Sequence, residues 1–250
     1  MRLANLRIVI VRPQYSGNVG AVARAMRNMG VGDLALVNPA RWSRPEAETM
    51  AVHARDLLET MQVHTSLRAA LADCGLVVGT TCRPGLYRDD ARTPRSFAPA
   101  LVAAAVENKV ALVFGPEDSG LSNDDLRCCH RLIAIPTDPA YSSLNVAQAV
   151  LLCCYEAFLA AQECLPPASR LLAVAEQQEL MYEKLKRALL QIGFLHGDNP
   201  EHIMFALRRI LGRAGLEERD VRILLGMARQ IEWYANGGWR LQRGEANAER

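Results

Sequence analysis

The chain has 250 residues, half of them hydrophobic, and a formal net charge of +2. That length holds one large domain or two small ones with a sizeable core, and the composition is that of a soluble globular chain. The small net charge excludes a protein that finds nucleic acid by bulk charge alone.

Leu6 to Val11 is a short apolar run that reads as a strand. It ends at Arg12, too soon for a signal peptide. Gly17 to Gly30, GNVGAVARAMRNMG, follows it through a Gly-containing turn into a helix over Val19–Met29. A strand that turns into a helix in this way aims backbone N–H groups at something anionic or polar. Arg24 and Arg27 are three residues apart and neighbour each other on that helix. The spacing is neither G-x-G-x-x-G nor a P-loop, and an ordinary tight turn fits it as well.

Strands are next expected at Asp33–Val37, Leu76–Thr80, Val110–Phe114 and Leu132–Ile135. Helices are expected at Ser66–Ala72, Phe97–Val106 and Asn145–Ala161. The strand runs do not alternate, as expected when both faces are covered. Repeated strand–helix units predict an α/β fold with a mostly parallel sheet, where ligands sit at the carboxyl ends of the strands. The longest apolar stretch, Val146 to Ala161, contains Gln148 and Glu156 and reads as a buried helix, not a membrane span.

Two of those strand ends carry polar chemistry. Val113 to Ser122, VFGPEDSGLS, leaves its strand through Gly-Pro into the acidic pair Glu117 and Asp118. These are candidate acid–base groups or solvated loop carboxylates. Ile135 to Glu156 leaves its strand at Pro136 and carries Tyr141, Ser142, Ser143 and Asn145 into the long helix. Ser143 or Asn145 there is either a site residue or a helix N-cap.

Leu165-Pro166-Pro167 breaks the pattern, and the strand signal stops. Leu171–Gly193, Pro200–Gly212 and Leu216–Tyr234 read as three helices, with Gly193, Gly212 and Gly215 as C-caps and Pro200 in a first turn. The expected organisation is a domain over 1–162, a linker over 163–170, a helical domain over 171–242 and a disordered polar tail over 243–250.

The seven cysteines form no C-x-x-C and lie at no zinc-ligand spacing from a histidine. They read as reduced core thiols of a cytoplasmic protein, and no metal is expected. Of the 29 cationic residues only Lys109, Lys184 and Lys186 are Lys, leaving 26 Arg. Arg forks bind phosphate bidentately and stack on bases, although a GC-rich genome gives the same skew.

Three segments combine into a pattern. Asn18-Val19-Gly20 with Arg24, Phe114-Gly115-Pro116-Glu117 with Gly120-Leu121, and Ser143-Leu144-Asn145-Val146 occur in that order. Together they resemble the three motifs of the SpoU branch of the SPOUT class of RNA methyltransferases. The helical extension, with Gly193-Phe194 and Leu207 to Arg213, is similar to that of the branch members acting on pyrimidine 32 of the tRNA anticodon loop.

The resemblance implies a parallel sheet ending in a trefoil knot, a homodimer, and S-adenosylmethionine as methyl donor for a ribose 2′-hydroxyl of tRNA. The cofactor is expected at Thr80, Thr81, Cys82, Gly115, Ile135, Ser142, Ser143 and Leu144. The catalytic set it implies is Arg24, Ser143, Asn18, Glu117 and Asn145. Arg24 is expected to hold phosphate and stabilise alkoxide charge, because a guanidinium is too basic to serve as a free base. Asn18 and Ser143 are expected to orient Arg24 and the ribose. RNA contacts are expected from Arg83, Arg88, Arg92, Arg95, Arg208, Arg209 and Arg213, with Tyr87 as a stacking platform. The alternatives are the same transfer on rRNA or another tRNA position, and a non-catalytic RNA-binding protein on this scaffold.

Overall fold

The computed structural model describes residues 3–82, 91–163, 171–196 and 200–238. The chain divides into two compact units, Met1–Leu171 and Leu172–Arg250.

The first unit runs β1 (Leu6–Val11), α1 (Ser16–Asn28), β2 (Asp33–Val37), α2 (Arg44–Ala51), α3 (Arg55–Thr60), β3 (Gln62–His64), α4 (Leu67–Leu71), β4 (Leu76–Thr80), α5 (Pro94–Ala104), β5 (Val110–Phe114), α6 (Asn123–Arg127), β6 (Arg131–Ile133) and α7 (Val146–Gln162). Its six strands form one sheet in the order β3-β2-β1-β5-β4-β6, and every pairing is parallel. All six residues of β1 and all five of β5 are buried, so the centre of the sheet is covered on both faces. Ile8, Ile10, Leu112 and Phe114 from these strands join Val22 and Met26 of α1 and Val150, Cys153 and Cys154 of α7 in one core.

Four strands lie where the apolar runs predict them. The fifth, β6, ends at Ile133, two residues short of the expected Ile135, and its outer edge pairs with Arg92, whose N–H donates to the carbonyl of Leu132 and whose carbonyl accepts from Ala134 N–H. β3 is an additional edge strand that Gln62 and Val63 leave exposed, so it carries no apolar signal. The short helices α2, α3 and α6 are also additional. α7 is buried along one side only. Leu151, Leu152, Tyr155 and Leu159 are 37–43% exposed, so the expected buried helix is buried on one face and open on the other.

One close approach sets how α1 packs on α2. A Cβ at Gly20 would lie 1.9 Å from the carbonyl oxygen of Ala47, so only glycine lets α1 and α2 meet at this distance.

The second unit contains α8 (Ala175–Gln191), α9 (Pro200–Ala214) and α10 (Glu218–Ala235) around Met181, Tyr182, Leu195, Met204, Leu216 and Val221. Gly193 and Gly215 adopt positive φ at helix ends, as C-caps do. Gly212 does not: it is buried inside α9, which continues to Ala214. Among the described residues no helix is long and apolar enough to cross a membrane.

Among the described cysteines, Cys74, Cys153 and Cys154 are buried. Burial pushes the Cys74 and Cys154 thiols up to about 12. Cys82 is exposed and is not a core thiol. Cys164 lies outside the described residues.

Candidate active site

A cavity of about 340 Å³ opens at the carboxyl ends of β4, β5 and β6. Thr80, Thr81 and Cys82 line it from β4, Ile135 from beyond β6, and the whole loop Gly115 to Leu121 from β5. Ser142, Ser143, Leu144, Val146 and Ala149 close it from the start of α7. The carboxyl ends of the strands are where a parallel α/β sheet places its ligands. The lining alternates hydroxyls and carboxylates with aliphatic side chains, and the volume suits a small organic molecule.

The wall loop has no slack at its base. A Cβ on Gly115 would lie 2.2 Å from the carbonyl carbon of Gly120 and 2.3 Å from Leu121 N. The loop therefore folds back on its own backbone to make a cradle. Thr80 Oγ1 donates to the carbonyl of Val113 at 3.0 Å and ties the end of β4 to β5 beneath it.

Beside the cavity, a line of hydrogen bonds joins three segments distant in sequence. The Glu117 carboxylate accepts from Asn18 Nδ2 at 2.8 Å and from the Gln14 backbone N–H at 3.2 Å. Asn18 Oδ1 accepts from Asn145 Nδ2 at 3.1 Å. Asn145 Oδ1 in turn accepts from Ala147 N–H at 2.9 Å and caps α7. Asn145 is thus both the helix N-cap and a member of this hydrogen-bonded line. Each amide presents oxygen to a donor and nitrogen to an acceptor, so the line fixes all three side-chain orientations.

A second tie lies further along the wall loop. Asp125, 8% exposed, accepts from Arg12 Nη1 at 3.2 Å and Nη2 at 2.5 Å. It also accepts from Ser122 N–H at 2.9 Å and Ser122 Oγ at 2.7 Å. Burial pushes the Asp125 carboxyl up, but the bonds from Arg12 and Ser122 outweigh it and hold it below the usual range. Hydrogen bonds from Gln14 and Ser119 lower Asp118 in the same direction.

All eight residues expected around the cofactor line the cavity. Phe114, Pro116, Asp118, Ser119, Gly120, Leu121, Val146 and Ala149 line it as well. Gly120 and Leu121 were legible as part of the second motif. Of the catalytic set, Asn18, Glu117 and Asn145 are joined directly, and Ser143 stands exposed on the cavity wall. Arg24 is exposed on α1, outside the cavity lining and the hydrogen-bonded line. The Asn18 amide is engaged by Glu117 and Asn145.

Of the expected RNA contacts, Arg83, Arg88 and Tyr87 lie outside the described residues. Arg92 is exposed, and Arg95 pairs with Glu156 at 3.1 Å. Arg208 is turned inward. Its fork meets Glu179 in a bidentate pair and its guanidinium lies 4.3 Å above the centre of the Tyr182 ring, so it serves the packing of the helical unit. Arg209 is half-buried and Arg213 is exposed.

Residues 5–155 match the model of the SpoU rRNA Methylase family, and residues 176–245 match the C-terminal domain of the tRNA methyltransferase TrmJ. A Klebsiella pneumoniae protein named tRNA (cytidine/uridine-2′-O-)-methyltransferase TrmJ is 40% identical over 94% of this chain and 99% of its own length. A Pseudomonas aeruginosa relative, named for cytidine, uridine and adenosine, is 38% identical over 94% of this chain and 96% of its own. The crystal structure of TrmJ from Z. mobilis superposes with a TM-score of 0.79 at 33% identity, covering 90% of this chain and 98% of that one. With both halves matched and the relatives aligned almost end to end, the chain belongs to the SpoU methylase family and, within it, to the TrmJ tRNA 2′-O-methyltransferases.

Proposed function

We propose that this chain transfers a methyl group from S-adenosylmethionine to the ribose 2′-hydroxyl of pyrimidine 32 in the tRNA anticodon loop, as a cytoplasmic homodimer whose first domain is knotted. The observation that carries the reading is the line Gln14–Glu117–Asn18–Asn145, which binds three motif segments into one wall beside the strand-end cavity. The match of residues 176–245 to the TrmJ C-terminal domain supports tRNA over rRNA as substrate. The outward Leu152 and Tyr155 of α7 support a second copy as partner.

The cavity fits the cofactor by its chemistry. Ile135, Leu144, Val146 and Ala149 offer an apolar slot for a flat ring, and the strand ends at Thr80–Cys82 and Gly115 offer backbone groups for its polar edge. The cofactor supplies a methyl group already activated on a sulfonium centre. What remains for the protein is alignment and charge. Ser143 orients the ribose. Glu117, with oxygens accepting from Asn18 and Gln14, positions the wall rather than taking the proton. Arg24, exposed on α1, holds the neighbouring phosphate with its fork and stabilises charge developing on the 2′-oxygen.

The test is transfer of labelled methyl from S-adenosylmethionine to total tRNA, followed by mapping of 2′-O-methyl nucleotides at pyrimidines and adenosine. Methylation at position 32 that Arg24→Ala abolishes is expected. Arg24→Lys should lose most of kcat, because a point charge cannot replace the fork. A lysine variant near wild type would remove Arg24 from this role, and incorporation into rRNA alone would overturn the substrate.

A further inference from the structure

The wall of the cavity is one loop, Gly115 to Leu121, with all seven residues facing the ligand space. β5 fixes one end. The other end runs into α6, a five-residue helix capped by a Ser122–Asp125 box. A helix so short holds little structure by itself; Leu121 and Leu126 are buried there and Gly120 packs on Gly115, and a polar tie from elsewhere in the fold can fix that end of the loop further.

Arg12 does so. It is the first residue past β1, and its N–H donates to the carbonyl of Val37 at 2.7 Å, which roots its backbone in the sheet. Its φ of +50° lies in the left-handed region, unfavourable for a side chain with a Cβ. From there the guanidinium crosses 113 residues of sequence to grip both oxygens of Asp125. Asp125 passes the grip to Ser122 through two further bonds. Neither Arg12 nor Asp125 lines the cavity. The Arg12 side chain is 41% exposed, so its ion pair adds little global stability, and its geometric consequence is local.

Building on the proposed cofactor site, we infer that Arg12 and Asp125 form a clamp that sets the cofactor-binding wall. They are positioning residues: they act on affinity for S-adenosylmethionine through the loop and touch neither substrate. Glu117 and Asn18 hold the middle of the same loop, and the clamp holds its far end. A loosened wall is populated in several positions, and ligand affinity falls by the fraction of time the competent one is lost.

The experiment measures the dissociation constant of S-adenosylmethionine by calorimetry, with KM and kcat for tRNA methylation, in wild type, Arg12→Ala, Asp125→Asn and the double variant. Arg12→Ala should weaken cofactor binding and raise its KM about tenfold with kcat within about twofold. The double variant should be no worse than the weaker single, since both remove one interaction. Arg12→Lys should fall between wild type and Arg12→Ala, because one point charge keeps part of the grip. A fall in kcat at unchanged KM and unchanged affinity would mean partial unfolding and overturn the clamp. So would Arg12→Ala with wild-type affinity and full thermal stability, while wild-type methylation left the proposed function standing. A wild type that binds no S-adenosylmethionine would overturn the cofactor reading and the clamp with it.

Discussion

Asn18→Asp is the sharpest probe of the hydrogen-bonded wall, because it changes charge with almost no change in shape. The substitution keeps the oxygen that accepts from Asn145 but replaces the donor facing Glu117 with a second carboxylate oxygen at 2.8 Å. At an effective dielectric near 20, two full charges at that separation repel by about 6 kcal/mol. Carboxylates this close relieve the repulsion by sharing one proton. Taking up that proton becomes easier by about 1.4 kcal/mol for each unit the pH falls. The sign is therefore fixed: the deficit of the variant shrinks on acidification. We expect kcat/KM for tRNA methylation to fall roughly 1,000-fold at pH 7.5 and to recover toward a roughly tenfold deficit at pH 5.5, read as the ratio to wild type at each pH. Asn18→Ala supplies the contrast. It leaves donors and acceptors unmatched without adding charge, costs about 1–3 kcal/mol, and should give a ratio flat in pH. A variant-to-wild-type ratio for Asn18→Asp that stays flat from pH 5.5 to 7.5, or an activity within threefold of wild type throughout, would refute the wall as the determinant of activity.

Gly115→Ala puts a methyl 2.2 Å from backbone that cannot step aside, so the cradle must open. S-adenosylmethionine affinity by equilibrium dialysis should drop at least about tenfold, and wild-type affinity would count against the cradle. At the opposite end of the sheet, Arg7 is buried and donates to Asp33, Asp73 and the carbonyl of Ala70, with Lys109 also on Asp73. Arg7→Met should cost about 3 kcal/mol in urea unfolding while leaving kcat/KM of the folded enzyme unchanged, because the site lies at the other ends of the strands. Burial pushes Asp73 up, but Lys109 and Arg7 outweigh it and hold its carboxyl low. That contribution is complete above the ordinary carboxylate pKa and is lost as pH falls through the lower folded value. Acid unfolding curves of wild type and Arg7→Met should therefore draw together as pH falls from about 4 through the lower folded value, and parallel curves would exclude the linkage.

The fold was legible wherever burial on both faces forced an unbroken apolar run. β1, β2, β4 and β5 match their runs to the residue. What escaped was held by contacts with no local signature. β3 is three residues on an exposed edge, stabilised by pairing with Ala35–Val37 and not by its composition. α2 and α3 are short, polar segments whose apolar faces are two residues each, Ala47 and Ala51 in α2 and Leu57 and Leu58 in α3. Gly20 reads as turn punctuation in the sequence, yet its reason is the carbonyl of Ala47.

The same division runs through the site, and it explains why the wall has two kinds of support. Asn18, Glu117 and Asn145 were legible through the resemblance to the three family motifs, whereas their residue types alone left Glu117 a solvated loop carboxylate or an acid–base group and Asn145 a helix cap or a site residue. The chemistry that joins them, one amide between a carboxylate and a second amide, needs those residue types and tolerates few others. Arg12 and Asp125 carry no such signal. A cation after one strand and a carboxylate in a capping box 113 residues on are ordinary features until the fold sets them within 2.5 Å. Many residue pairs could supply that tie, since any bond between the β1 exit and the start of α6 would hold the loop end. The middle of the wall is thus constrained by its chemistry and the far end by its position alone. The physical consequence is testable in this chain: replacing the Arg12–Asp125 pair with a different bonded pair should restore cofactor affinity, whereas no such exchange should rescue Asn18 with Glu117.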